Sequence, residues 1–115
     1  MNEDSVWVDS HCHLEMLKEN VEVALEKSNR TGLKFCITIG TDYTSNRKLC
    51  QYCDTFPNVF GTLGFHPHGA SKVRQEHLDQ AKTEIEQNQK IVAVGECGYD
   101  LYYEHSDRKI QETVF

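Results

Sequence analysis

Four short apolar runs recur along the chain: Val6-Trp7-Val8, Phe35-Cys36-Ile37-Thr38-Ile39, Val59-Phe60-Gly61-Thr62-Leu63 and Ile91-Val92-Ala93-Val94. Each is rich in β-branched or aromatic residues and too short for a helix, so each reads as a strand. None alternates cleanly between apolar and polar positions, which is the pattern of strands covered on both faces in a parallel sheet. The polar stretches between them carry helical periodicity. Asn20 is placed to cap a helix with an inner stripe of Val21, Ala24, Leu25 and Ser28, and Gly32 to end it. Leu49, Tyr52, Cys53 and Phe56 fall at i, i+3, i+4 and i+7 of a second helix, stopped by Pro57. Leu78, Ala81 and Ile85 mark a third, and Ser106 or Asp107 opens a fourth that runs into Phe115 without a C-cap signal. Strand starts are spaced by roughly 25–32 residues, the length of a βαβ step. The expectation is an α/β chain, βαβαβαβα, around a parallel sheet with no linker or low-complexity tract.

Composition bounds this picture. At 115 residues, with 38% hydrophobic and 26% charged residues, the chain reads as one ordinary soluble globular domain. No segment approaches the ~20 consecutive apolar residues of a membrane span. The acidic start, Met1-Asn2-Glu3-Asp4, has no apolar core of a secretory signal, so a cytoplasmic location with reduced thiols is expected. The net charge of −6 argues against gripping nucleic acid by a broad basic face. Positive charge toward any phosphate substrate must come from elsewhere, such as a metal. Among the five cysteines, Cys50 and Cys53 form a CxxC, the spacing of a zinc half-site or redox pair. No second CxxC follows and the pair falls on the helical stripe, so both read as small core residues.

In parallel α/β folds, functional groups collect at the carboxyl ends of strands, and three of the four expected strands end unusually. After the first comes Asp9-Ser10-His11-Cys12-His13. Extended backbone puts His11 and His13 on one side, with Asp9 two residues before. Two adjacent imidazoles can share a divalent cation, with Asp9 orienting one of them as an outer partner; a plain pair of surface or core histidines is the alternative. After the third comes Gly64-Phe65-His66-Pro67-His68, whose histidines either face a substrate or sit in a solvated turn. After the fourth comes Gly95-Glu96-Cys97-Gly98-Tyr99-Asp100. A carboxylate at a buried strand end needs a salt bridge or a metal; Glu96 is the candidate, and Asp100 can position substrate or water. His77 and His105 are expected to face solvent.

These three motifs, in this order and at these strand ends, resemble the TatD family of metal-dependent deoxyribonucleases within the amidohydrolase-like (β/α)8 hydrolases. Gln111 and Phe115 resemble the start of that family's Gln-x-x-x-Phe helix. The resemblance implies a TIM-barrel fold of which about the first four βα units are present, residues 1–115 being its N-terminal half. It implies that His11 and His13 ligate a metal, that Glu96 ligates and bridges metals as the catalytic carboxylate, and that His66 and Asp100 lie on the substrate side. It further implies two divalent cations (Zn, Mn or Mg), a metal-activated water, DNA as substrate of the full-length protein, and no membrane or obligate protein partner. Two later histidines and a late aspartate belong to the same family pattern and fall beyond Phe115, so residues 1–115 alone are expected to be inactive. The alternatives are a PHP-type phosphoesterase or another amidohydrolase-like enzyme, which the Gly64 and Gly95 motifs disfavour, and a non-catalytic half-barrel.

Overall fold

A computed structural model describes residues 5–115, so the tetrapeptide read against a secretory signal lies outside the described residues. The elements follow the expected order: β1 (Trp7–Cys12), α1 (Val21–Arg30), β2 (Leu33–Ile39), α2 (Tyr43–Thr55), β3 (Val59–Leu63), α3 (Gln75–Gln87), β4 (Ile91–Val94) and α4 (Arg108–Val114). Short 3₁₀ turns over Leu14–Met16 and Pro67–Lys72 follow β1 and β3. The four strands are all parallel and lie in chain order, β1-β2-β3-β4. Neighbouring parallel strands in sequence order, each followed by a helix, are the winding of a (β/α)8 barrel, and four such units are present.

Local chemistry explains the boundaries. Asn20 accepts the Val23 amide at 3.2 Å and so satisfies one of the free N–H groups that open α1. Gly32 follows the helix with φ of 99°, a conformation costly for any side chain. Asp42 opens α2 by accepting the Ser45 amide at 2.8 Å, while Ser45 Oγ accepts the Asp42 amide at 3.0 Å. This reciprocal cap starts α2 six residues before the apolar stripe that signalled it. Asp107, rather than Ser106, caps α4, accepting the Lys109 amide at 2.9 Å.

The core lies between the sheet and α1–α3. It contains Leu25, Leu33, Cys36, Leu49, Cys50, Cys53, Val59, Leu63 and Ile91. Leu49 is fully buried, and the Cβ of any residue replacing Gly61 would press into Leu49 and Cys53, so β3 and α2 meet almost backbone to side chain. The other face of the sheet corrects the expectation of strands covered on both sides. Strand pairing sets Val8 beside Phe35, Ile37 beside Phe60 and Thr62 beside Ala93 on the side away from α2. No helix covers that face among the described residues; Val8 is 48% exposed and Phe35 and Phe60, edge to face at 5.7 Å, are half-buried. Apolar residues on both faces without alternation are what the interior of a barrel requires.

Candidate metal centre

The sheet delivers all three motifs to its carboxyl end. β1 runs further than its apolar run suggests, through His11 to Cys12, because Cys12 pairs with Thr38 of β2 after a register irregularity beyond Asp9. The chain then turns sharply. The Leu14 amide donates to Thr38 Oγ1 at 3.2 Å and the Leu14 side chain enters the core, fixing the backbone on both sides of His13. At the end of β4, the Glu96 amide donates to Gly40 O and the Gly95 amide to Leu63 O, both at 2.8 Å. Gly64 at the end of β3 packs against the backbone of Gly95 and Glu96, leaving no room for a Cβ. The buried Asn46 side chain holds that turn by donating to Gly64 O at 3.1 Å and accepting the Gly64 amide at 3.3 Å.

These constraints bring His11, His13 and Glu96 together: one potential ligand atom from each lies within 4.8 Å of the others. The rings of His11 and His13 are 5.2 Å apart and nearly perpendicular. His11 Nε2 lies 4.0 Å from Glu96 Oε2. His13 Nδ1 donates to the Ile39 carbonyl at 3.1 Å, which sets the tautomer and leaves Nε2 with its lone pair free. Two imidazoles and a carboxylate, one imidazole already held through its far nitrogen, form a donor set suited to a divalent transition metal.

The remaining candidates divide. His66 stands on the other side of Glu96, with Nε2 3.4 Å from Oε1. Asp100 does not join the cluster. It pairs with His68 Nε2 at 2.6 Å and accepts the amides of Tyr103 and Tyr102 at 2.9 and 3.1 Å, so it organises the loop after β4. The Tyr103 amide, and after it His68, hold the Asp100 carboxyl below the ordinary carboxylate range. Asp9 meets no imidazole. Its short side chain folds back onto its own strand, where Oδ1 accepts the His11 amide at 3.0 Å, and the orienting contact to His13 comes from Ile39 instead.

Several residues support these loops through long-range contacts that local spacing does not announce. Gln111 is buried to 1% exposure; its side chain accepts the Asp100 amide at 2.8 Å and donates to the carbonyls of Ser106 and Asp100 at 2.8 and 3.1 Å. Ser106 donates to His68 O at 2.9 Å and accepts the Ser71 amide at 3.0 Å. Together they tie the start of α4 to the loops after β3 and β4. His77 is partly buried rather than solvent-facing: its ring stacks on Tyr43 at 4.3 Å and Nδ1 accepts the Arg74 amide at 3.2 Å. His105 is exposed. Cys50 and Cys53 point into the core, and burial pushes their thiols up to about 12 and about 11. No helix among the described residues is long and apolar enough to cross a membrane.

Comparisons with known proteins point to one family. The family model described as TatD related DNase matches residues 8–115. An uncharacterized metal-dependent hydrolase of Buchnera aphidicola subsp. Baizongia pistaciae is 31% identical over 113 residues, covering 94% of this chain and 42% of that protein. The 3′-5′ ssDNA/RNA exonuclease TatD of Cronobacter sakazakii is 28% identical over 91 residues, covering 79% of this chain and 34% of that protein. The crystal structure of YjjV, a TatD homolog from Escherichia coli K12, superposes with a TM-score of 0.81 at 24% identity, over 94% of this chain and 43% of that one. The chain thus spans less than half the length of these relatives.

Proposed function

The chain belongs to the TatD-related DNase family, and from that premise we propose that residues 1–115 are the N-terminal half of one metal-dependent hydrolase barrel. The reaction proposed for the full-length protein is hydrolysis of phosphodiester bonds in DNA, in the cytoplasm, with divalent cations, two in number, as cofactor. The observation that carries this reading is the convergence of His11, His13 and Glu96 at the carboxyl end of the sheet. A bound Zn, Mn or Mg ion supplies a Lewis acid and lowers the pKa of a ligated water. The residues do the rest. His11 and His13 present imidazole nitrogens from the end of β1. Glu96 presents a carboxylate from the end of β4, free to place one oxygen toward His11 and the other toward His66. Local positive charge at the centre offsets the acidity of the chain, which by itself would repel a polyanion.

His66 and Asp100 are the proposed substrate-side groups. His66 sits directly beside Glu96 and offers a ring nitrogen toward the reacting centre. Asp100 works one step removed, through His68 and the loop it orders. The test uses the full-length protein, single-stranded DNA, and added Mn²⁺ or Zn²⁺. Glu96→Ala or His11→Ala is expected to lower metal-dependent hydrolysis by ~100-fold or more, because each removes a direct ligand. Turnover like the wild type in the Glu96 variant overturns the assignment. Hydrolysis of phosphomonoesters or cyclic amides in place of DNA would instead place the protein with other amidohydrolase-like enzymes.

A further inference from the structure

One side chain beside the candidate centre is at odds with its surroundings. Glu15, in the turn after His13, has a side chain only 10% exposed, and both carboxylate oxygens are buried without a hydrogen-bond partner among the described residues. A carboxylate taken out of water without a partner destabilises the fold, and such groups persist where a counter-charge arrives by another route. The one ion-pair contact of Glu15 among the described residues is with the imidazole of His13, whose Nδ1 lies 3.7 Å from Oε1. That nitrogen already donates to Ile39 O at 3.1 Å, so Glu15 stands as a second acceptor on the same side of the ring, leaving Nε2 free.

We propose that Glu15 is the positioning residue of the metal centre, a carboxylate held in reserve behind His13 to balance the charge of a divalent cation bound through that ring. The inference rests on the metal-centre reading above. A cation held through the other ring nitrogen would spread positive charge over the imidazole. Glu15 then gains a charged partner that the metal-free protein does not supply. The carboxylate that tunes the ligand is therefore Glu15, from the turn, and not Asp9, from the strand. The cost of burying it falls on the metal-free state and the benefit on the metal-bound state.

This asymmetry separates a positioning role from a structural one, since the two readouts move in opposite directions. In the full-length protein, Glu15→Gln keeps the shape and removes the charge. Its metal-free thermal midpoint is expected to equal or exceed that of the wild type, while its affinity for Co²⁺, followed by the ligand-field absorption and by chelator competition, falls ~10–100-fold. The rise in thermal midpoint on adding Co²⁺ shrinks accordingly. Glu15→Asp, which keeps the charge, is expected to bind Co²⁺ more tightly than Glu15→Gln. Unchanged Co²⁺ affinity in Glu15→Gln, or a metal-free Glu15→Gln protein that is unfolded or less stable than the wild type, overturns the inference and leaves the metal centre standing. A wild-type protein that binds no Co²⁺ overturns the metal-centre reading, and this inference with it.

Discussion

At the scale of single residues, burial decides chemistry. The CxxC pair has the spacing of a metal or redox site, yet both thiols lie in the core, where loss of solvation raises them to about 12 and about 11. The neighbouring Cys36 thiol and burial push the Cys12 thiol up as well. Cys97 alone among the cysteines is exposed. Brief treatment of the folded protein with iodoacetamide at neutral pH is therefore expected to label Cys97 and spare Cys50 and Cys53, as read by mass spectrometry. Equal labelling of Cys50 would show that the helix stripe is not packed as described. Asp100 carries the second residue-level prediction. Its folded pKa is lowered, so the loop contacts it makes are intact above the ordinary aspartate value and are lost as pH falls through the lowered one. The amide resonances of Tyr102 and Tyr103 are expected to shift together with a midpoint below about pH 3.9, the unperturbed value. In Asp100→Asn that shared titration disappears. The clustering of His11, His13 and Glu96 is legible in the sequence because chemistry and strand position coincide there. The roles of Glu15 and Asn46 carry no such signal, because an amide or carboxylate acquires its role from long-range partners that no local spacing announces; Gln111 is marked by its motif, but not the hydrogen bonds it makes to Asp100 and Ser106.

At the scale of elements, apolar periodicity locates the four strands and α1–α3 and a cap signal locates α4, while the differences lie at polar boundaries and in the two 3₁₀ turns. The start of α2 is set by the Asp42–Ser45 capping box, six residues upstream of the first stripe residue, and β1 is extended by backbone pairing that polar residues such as Ser10 and His11 share in. Main-chain hydrogen bonds do not depend on hydropathy, so such extensions leave no apolar trace. Within the elements, the stripe is where stability resides. Leu49 is fully buried at the point where α2 meets β3 and Gly61 leaves no slack beside it. Leu49→Ala is expected to cost ~2–5 kcal/mol in chemical denaturation, the range for a large core residue whose cavity cannot collapse. Asn20→Ala, which removes only the cap of α1, is expected to cost ~1 kcal/mol. A reversed order of the two would mean that α2 is held by its caps and not by its buried face.

At the scale of the whole molecule, the sheet has an apolar face without helices and two strand edges, β1 and β4, without neighbours among the described residues. Apolar residues on both faces announce a barrel, but the pattern cannot say which face a helix covers, since inner and outer positions are equally hydrophobic. The half-open Val8, Phe35 and Phe60 place the barrel-interior side, and the free N–H and C=O groups of two parallel edges lie beside it. An unpaired parallel edge next to an apolar face is a template for another strand. In a complete barrel the remaining βα units occupy both edges and close over the face, so the same residues that make four units adhesive in isolation make eight units stable. Residues 1–115 expressed alone are therefore expected to sediment as oligomers or precipitate and to lack metal-dependent DNA hydrolysis. If the open face drives the association, Val8→Asp, which charges that face without touching the core beneath α1–α3, increases the monomer fraction in analytical ultracentrifugation while activity stays absent. A monodisperse 1–115 monomer that hydrolyses DNA would show instead that four units and three candidate ligands suffice.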